Sequence, residues 1–507
     1  MKTKFLVWIS AFIISIIIAR NYLIQDQKQY FSQKLTTGCC SMNNNAFSNL
    51  NFIKRKINEN LYVLFSPDIW FKKFTQPEYI FLLSKTDKSY FDSITKIAVK
   101  NGNVSDNIKK YRNTSLIYND TSYNVKVKLR GSDPTTHFWG VHSIKVKSDI
   151  EINNRQIFNI ISGLEYDYRN IFFNMIADQF NLYTQETGEI ITYSFNKRLH
   201  DGFLYNEFDF EYVLNRYSDT LYNIFKNFKN IGSHTSEFDN LYYNNEKKIY
   251  KDLGYKLGIK KNKKFKSGSL KLNVFEEDYF ASFISLLYLF GDTHQITGDN
   301  LEMLHINRNF IPLFRKESYI SKLNINRDKF DSSIFLTNEQ VSSHLNFKKL
   351  LVDDEFRNLR NKKLKILLTK REEISSLFDS VYNANRNKHS INNSRYFDQK
   401  IAYSLMSSNL KNNMEKIEDY FKTGKTFYSL EDDTLKIVSD TYVQLKYKIN
   451  DSITFTHQPR NIFIENGKLT SKFNEKKIII KEKINSLKVI NTLSNDTISY
   501  KFINESD

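Results

Sequence analysis

The chain has almost no cysteine, and the little it has excludes a disulfide framework. Its 507 residues include two cysteines, the adjacent Cys39 and Cys40. Neighbouring cysteines rarely bridge each other, so we expect an intermolecular bridge or unpaired surface thiols there. The sequence is therefore not that of a small, disulfide-stapled exported protein.

Motifs of the commoner enzyme classes are missing as well. The sequence contains no Gly-x-Gly-x-x-Gly, P-loop, His-Glu-x-x-His or Gly-x-Ser-x-Gly motif, so dinucleotide binding, P-loop NTPase, metalloprotease and serine-hydrolase chemistry have no support. Nothing resembles a nucleic-acid-binding module, and we expect neither DNA nor RNA as a partner.

Lysine supplies much of the charge. The net charge of +18 is spread along Lys- and Asn-rich loops, which is typical of the composition bias of an AT-rich genome. The alternative is a partner with acidic surface, phosphate or anionic lipid. Apolar residues make up 40% and aromatic residues 15% of the chain, which excludes general disorder. The length predicts two or three domains.

The amino terminus carries an apolar run that predicts export. Lys2 and Lys4 precede residues 5–19, which carry no charge, and Arg20 closes the run. The run is shorter than the roughly 20 residues of a usual membrane span. Ile17 stands where a signal peptidase needs a small residue. We expect an uncleaved signal anchor with the bulk of the chain extracytoplasmic; secretion after signal-peptide cleavage is the alternative.

Strands with alternating lysines mark the most informative region. Residues 125–131 (Val-Lys-Val-Lys-Leu-Arg-Gly) and 142–147 (His-Ser-Ile-Lys-Val-Lys) predict two strands, followed by a helix near 167–181. Alternation places several ammonium groups on one face of a sheet. A sheet face with fixed cations and one carboxylate to orient them suits a nucleoside triphosphate.

A second polar cluster follows an apolar helix predicted over 277–290. Asp292, His294, Asp299 and Asn300 lie within nine positions of each other. A carboxylate and a carboxamide suit a hard cation such as Mg²⁺, and a histidine suits acid–base work. The alternative is a capped helix end with ordinary polar loop residues.

The order of these segments resembles the spore-coat CotH family of atypical protein kinases. The resemblance covers roughly residues 75–375 and rests on short motifs: residues 129–132 (Leu-Arg-Gly-Ser), 143–147 (Ser-Ile-Lys-Val-Lys), 202–207 (Gly-Phe-Leu-Tyr-Asn-Glu), 291–300 (from Gly-Asp-Thr-His to Asn) and 310–312 (Phe-Ile-Pro). In one branch of the family a histidine precedes an asparagine in the fourth of these motifs, as here. The resemblance implies an ATP-dependent transferase with Mg²⁺ that phosphorylates an envelope or surface protein.

The resemblance also implies a role for each matching residue. Lys145 or Lys147 would bind the phosphates, with Glu207 as the orienting carboxylate and Arg130 in support. Asp292 and His294 would be catalytic, and Asn300 would hold the metal. Without the resemblance, the lysines are a solvated strand face, Arg130 caps a strand turn and Glu207 is an acid at a helix start.

One departure from the family pattern bears on activity. The family places an aspartate two to four residues after the proline, but here Pro312 is followed by Leu-Phe-Arg-Lys and then Glu317. Lys316 beside a metal site would repel Mg²⁺, and Glu317 is the acid that could substitute. A catalytically impaired, pseudokinase-like envelope interaction or assembly protein is therefore the alternative function. A weaker one is an assembly factor that binds glycan through the carboxy-terminal module.

The predicted fold class is α+β, a kinase-like CotH domain with mixed sheet and helical lobe plus a small all-β module. After Gly424 the apolar pattern changes to period two, which predicts that module. The predicted divisions are a signal anchor at 1–20, a polar spacer at 21–60, the kinase-like domain at 61–426 with an insertion at 216–274, and the β-rich module at 427–507.

Overall fold

Four units follow one another along the chain: an amino-terminal helix, a β-barrel, a helical lobe and a carboxy-terminal β region. The α+β class and the all-β carboxy-terminal region are thus confirmed in this computed structural model. The structure describes residues 2–37, 57–58, 61, 64–65, 77–101, 104–130, 143–161, 168–184, 188–195, 198–206, 276–292, 295–296, 303–306, 309–312, 314, 320–323, 327–335, 342–388, 393–466 and 468–501.

The amino-terminal helix α1 (Lys2–Thr37) contains the predicted apolar run. Within the described chain, it is the helix long and apolar enough to cross a membrane, over Val7–Gln29 with a mean hydropathy of 1.9. Length and composition of this kind fit a signal anchor and a signal peptide equally. The predicted spacer at 21–60 begins inside this helix.

Seven strands of the described chain close into a barrel, in the order β1-β2-β3-β4-β5-β7-β6. Neighbouring strands are antiparallel except β1 and β6, whose parallel pairing closes the barrel. The elements of this unit are β1 (Tyr79–Leu82), α2 (Lys85–Asn101), β2 (Arg112–Tyr118), β3 (Thr121–Leu129), β4 (Ile144–Ile152), β5 (Arg155–Ile161), α3 (Tyr168–Gln179), β6 (Glu189–Phe195) and β7 (Arg198–Asn206).

Asparagine and aspartate make the tight turns of the barrel. Asn119-Asp120 joins β2 to β3 and Asn153-Asn154 joins β4 to β5, and all four residues have positive φ. Two consecutive residues of positive φ give the turn whose twist matches antiparallel strands. Side chains alternate across these strands, so that residues such as Val127, Val146 and Phe158 fill the barrel interior.

The outer face of the barrel changes character around its circumference. On β3 and β4 it carries lysines, whereas on β5, β6 and β7 it carries Ile161, Ile190 and Phe203, which belong to the core of the helical lobe. The Lys388 ammonium, just after the fourth helix of that lobe, donates to the Ile190 carbonyl oxygen at 2.7 Å. Barrel and lobe therefore share one continuous apolar interface.

The helical lobe surrounds a helix that is buried on all sides. That helix, α4, matches the predicted range, and residues 279–290 are all buried in it. Its sequence is apolar around the full circumference, which is typical of a core helix. The elements of the lobe are α4 (Glu277–Phe290), β8 (Met303–Ile306), β9 (Asn309–Pro312), α5 (Ser342–Val352), α6 (Asp354–Thr369), α7 (Arg371–Asn385) and α8 (Asn393–Phe421).

A buried ion pair joins α4, α6 and α8 to the segment between β9 and α5. The guanidinium of Arg360 lies 2.7 Å from Asp331 Oδ1, with both side chains at most 9% exposed. Tyr420 donates to Asp331 Oδ2 at 3.1 Å and Tyr288 donates to the Asp331 carbonyl oxygen at 2.8 Å. The rings of Tyr288, Phe330 and Tyr420 stack and lie within 6 Å of the guanidinium.

Burial keeps the two tyrosines of this cluster neutral. It is the largest effect that raises the pKa of Tyr288 and of Tyr420 above the ordinary tyrosine value. Burial is the largest single effect and works against the charge of Arg360, but Asp331, Tyr420 and Tyr288 together outweigh it and the pKa of Arg360 is raised. The guanidinium therefore stays charged and both phenols stay neutral across the usual pH range.

The carboxy-terminal β region forms three small antiparallel sheets, in the orders β10-β11-β16, β13-β12-β17-β18 and β14-β15. Asn491 fastens it to α8 by donating to the Phe421 carbonyl oxygen at 2.8 Å. Its strands are β10 (Thr426–Glu431), β11 (Thr434–Ser439), β12 (Leu445–Ile449), β13 (Ile453–His457), β14 (Arg460–Glu465), β15 (Lys468–Phe473), β16 (Lys476–Ile479), β17 (Ser486–Asn491) and β18 (Thr497–Lys501).

Candidate functional site

A row of polar side chains crosses the outer face of the barrel from solvent to the helical lobe. Lys128 on β3 is paired with Lys145 on β4, Lys145 with Asn159 on β5, and Asn159 with Tyr205 on β7. Exposure falls along this row: the lysines are partly exposed, whereas Asn159 is 1% and Tyr205 3% exposed. The row thus runs from a cationic surface to the boundary with the lobe.

Asn159 is the residue of this row that sequence reasoning missed. Both amide atoms of its side chain are buried, and neither has a hydrogen-bond partner in the part of the chain that the structure describes. A buried polar group left unsatisfied costs about 1–3 kcal/mol. An asparagine within the otherwise apolar run Ile-Phe-Asn-Ile-Ile at 157–161 was the sequence signal that could have found it.

Lys147, the second predicted phosphate ligand, lies in a different setting. It is exposed and directly opposite Lys126, which is also exposed. Like charges in facing positions of a sheet repel each other. Neither lysine makes an ion pair within the described chain. The two predicted lysines therefore differ: Lys145 lies beside a buried amide and Lys147 faces water.

Arg130 lies at the end of β3, next to the same row. Its backbone N–H donates to the Ser143 carbonyl oxygen at 2.8 Å, which extends the pairing of β3 with β4 by one step. Its guanidinium lies 5.4 Å from the centre of the Tyr205 ring. A cation at this distance from an aromatic face is attracted to it, so Arg130 lies beside Tyr205, as Lys145 lies beside Asn159.

Helix α3 connects the barrel to the end of α4. It follows β5 in the chain, and the ring of Phe173 packs against that of Phe290 at 4.5 Å in a T-shaped contact. Its polar residues Asn170 and Asn174, one helical turn apart, are buried as well. Strand β5 and the end of α4, more than one hundred residues apart in sequence, thus meet through α3.

Asp292 lies where α4 ends. Gly291 adopts the left-handed conformation with φ of 58°, and the Asp292 N–H donates to the Leu287 carbonyl oxygen at 2.9 Å, which is the Schellman pattern of a helix carboxyl end. Asn413 of α8 caps the same end by donating to the carbonyl oxygens of Leu289 and Ser321. Asp292 is 1% exposed, so its carboxyl group is held inside the lobe by a well-defined backbone.

Hydrogen bonds join the end of the hairpin β8–β9 to Tyr183, which precedes β6. Tyr279 of α4 donates its phenol to the Pro312 carbonyl oxygen at 2.7 Å and accepts from the Tyr183 N–H at 2.9 Å. The Phe314 N–H donates to the Tyr183 carbonyl oxygen at 2.8 Å. The segment that departs from the CotH pattern after Pro312 therefore begins beside the barrel.

Several predicted residues lie outside the described residues. They are Glu207, His294, Asn300 and Glu317, together with the predicted insertion at 216–274. The described residues contain no group of three or more His, Cys, Asp or Glu that could hold a metal ion. Of the predicted acidic and metal-binding groups, the described chain supplies Asp292.

A separate groove of about 490 Å³ lies elsewhere in the described chain. It is lined by the end of α5, the start of α6 and strand β14, with Lys349, Asp353 and Asn461 among its residues. Asp353 caps α6 by accepting from the Phe356 N–H at 2.9 Å, which explains the acids there as helix-start residues. None of the predicted site residues lines this groove.

Comparison with family models and with curated proteins was made for the whole sequence. No family model matches the chain, and no curated protein matches it. The resemblance to CotH kinases therefore rests on the short motifs in the sequence.

Proposed function

We propose that the chain is a kinase-like protein of the cell envelope that binds ATP between the barrel and the helical lobe and transfers its terminal phosphate to an envelope or surface protein. The observation that carries this proposal is the row in which Lys145 lies beside the buried, unsatisfied Asn159 at the edge of the helical lobe. A fixed cation beside an amide with free donor and acceptor capacity suits phosphate and nucleotide groups.

The described residues suggest a division of roles. Lys145 would neutralise the phosphates, and Arg130, beside the Tyr205 ring, would add a second cation. Asp292 would orient the acceptor hydroxyl and accept its proton. Mg²⁺ would supply further charge neutralisation, with Asn300 and Glu317 as its proposed ligands from the sequence, and Glu207 and His294 keep the roles that the CotH resemblance implies.

The amino-terminal helix supports the proposed location. Its apolar segment Val7–Gln29 is 6% buried within the protein, and a surface of this kind is stable in lipid rather than in water. We propose that it is an uncleaved anchor with the globular part outside the cytoplasm; secretion after cleavage is the alternative.

A second candidate function is a pseudokinase-like interaction or assembly protein. It is favoured by the residues after Pro312, where a cation and a late Glu317 replace the expected aspartate. Export also places the site where ATP is scarce. In this case the same cleft would bind a ligand without phosphate transfer.

A thermal-shift experiment tests the proposal. Millimolar Mg-ATP is expected to raise the Tm of the full chain by several degrees, because a ligand at 100 times its Kd stabilises by about 2.7 kcal/mol. Lys145→Met should lose most of this shift, since it removes the cation beside Asn159. Lys147→Met is the matched control and should keep it, because its ammonium faces water.

Two outcomes would contradict parts of the proposal. Absence of any shift in the wild-type chain would remove ATP binding altogether. Equal shifts for both lysine variants would place the nucleotide elsewhere. If ATP binds, incorporation of labelled phosphate by the wild-type chain but not by Asp292→Asn separates the kinase from the pseudokinase, and no incorporation in either favours the second candidate.

A further inference from the structure

Helix α1 passes without a break from an exposed part to a part that is buried in the protein. Its first half shows apolar side chains on every side, and the exposed fractions are 63% for Val7, 76% for Trp8, 68% for Phe12, 54% for Ile14 and 63% for Ile18. One turn later the pattern changes, because Leu23 is 5% and Gln27 2% exposed.

The buried part of α1 belongs to the helical lobe. It packs against α8, the long helix that also caps α4 through Asn413. Leu23 and Gln27 are four residues apart and so lie on one face of the helix, while Asp26 accepts a hydrogen bond from the Asn58 amide at 2.7 Å. The helix is thus fixed to the lobe within about one turn of Arg20.

The apolar run is too short to leave a flexible linker between the bilayer and the folded part of the chain. Residues 5–19 span about 22 Å at 1.5 Å per residue, whereas the hydrocarbon core of a bilayer is about 30 Å thick. A helix that enters this core at Lys4 reaches its far surface at about position 24. Leu23, which is packed in the protein, would already stand at that surface.

We infer that α1 is a structural helix of the helical lobe as well as its anchor, and that the lobe rests directly on the lipid headgroups. This inference rests on the proposed membrane attachment and adds its geometry. The cleft next to α4 is then held at a fixed, short distance from the bilayer. Its acceptors are membrane-held proteins or segments that reach this surface, rather than proteins free in the surrounding space.

Substitution of two neighbouring residues tests the packing of α1. In detergent-solubilised full-length protein, Leu23→Ala is expected to lower the Tm by about 3–5 °C, as for other buried leucines in a chain of this length. Tyr22→Ala is the matched control, because Tyr22 is 62% exposed, and its Tm should stay close to that of the wild type. Equal Tm values for wild type and Leu23→Ala would show an independent tether and overturn the inference.

Fluorescence energy transfer from the protein to the membrane tests the distance between the lobe and the lipid headgroups. A dye on Ile57→Cys, in a chain with Cys39 and Cys40 replaced by serine, is next to the contact between Asn58 and α1 and 52% exposed at its site. In vesicles whose headgroups carry an acceptor dye, strong transfer is expected. A flexible glycine-serine insertion after Arg20 should weaken it.

Weak transfer in the wild-type chain would mean that the lobe stands away from the lipid. Strong transfer that is unchanged by the insertion would mean that α1 does not set the distance. Either result overturns the inference. Absence of the protein from the vesicles would instead contradict the membrane attachment itself. The Mg-ATP shift is measured in the same samples, so loss of nucleotide binding is seen separately from loss of surface contact.

Discussion

Arg360→Met is expected to lower the free energy of unfolding by about 3–5 kcal/mol, because removal of one partner of a buried ion pair leaves the other charge without compensation. Arg360 is fully buried and holds Asp331 at 2.7 Å. It also donates to the Tyr420 oxygen at 3.2 Å. Since whole proteins are stable by about 5–15 kcal/mol, this loss is a large fraction of the total, and chemical denaturation at neutral pH measures it.

A surface ion pair is the matched control. Arg371 and Glu418 lie 3.5 Å apart with side chains about half exposed, so Arg371→Met should change the stability by no more than about 1 kcal/mol. The double variant with Arg360→Met and Asp331→Leu should recover part of the loss, because no unpaired charge remains. Similar losses for Arg360→Met and Arg371→Met would show that the buried pair does not hold the lobe together.

Gly291→Ala is expected to destabilise the chain by about 3 kcal/mol or more and to abolish the Mg-ATP shift. A non-glycine residue in the left-handed conformation costs about 1–2 kcal/mol, and a Cβ at this position would collide with the Ser321 carbonyl group. Because that carbonyl is fixed by Asn413, the backbone of α4 must move and carry Asp292 with it. Denaturation and nucleotide titration of the same sample measure both effects.

Asn119→Ala measures the cost of the left-handed conformation without the steric collision that Gly291→Ala adds. Asn119 also has a positive φ, of 48°, but lies on an exposed hairpin turn. The variant should lose about 1 kcal/mol and keep its response to Mg-ATP. A Gly291→Ala protein with wild-type stability would mean that the end of α4 is not fixed as described.

Elements with strong local signals were predictable from the sequence. The apolar run that forms α4, the helix that became α3 and the change to period two after Gly424 were all predicted correctly, because each pattern repeats over several residues. The lysine alternation also predicted the cationic strand face correctly, as Lys126, Lys128, Lys145 and Lys147 share it.

Elements that depend on distant contacts were not predictable. Strand β5 was missed although Asn153-Asn154 marks its turn, because its apolar run is short and continuous. Closure of the barrel by β1 and β6 joins segments more than one hundred residues apart, and nothing local indicates it. The pairing of Arg360 with Asp331 likewise depends on how α4, α6 and α8 pack.

Sequence periodicity predicted which residues of the candidate site share a face of the sheet, but not how they differ. Lys145 and Lys147 are two residues apart on one strand, so alternation gives them the same face and cannot tell them apart. The neighbouring strand β5 distinguishes them, because it places Asn159 beside Lys145 and Ile157 beside Lys147. The sequence showed the polar residues that follow α4. Only the tertiary structure shows that Asn413 of α8 holds the end of α4, and with it Asp292, in place.

Photolabelling locates the nucleotide most directly. An ATP analogue with a photoreactive azidoanilide on its terminal phosphate is irradiated with the full-length protein, which is then digested. It should label peptides from β4 and β5 and from the segment that follows α4, and excess ATP should prevent it. Label that excess ATP does not reduce, or label confined to the groove beside Lys349 and Asn461, would contradict a nucleotide cleft between barrel and helical lobe.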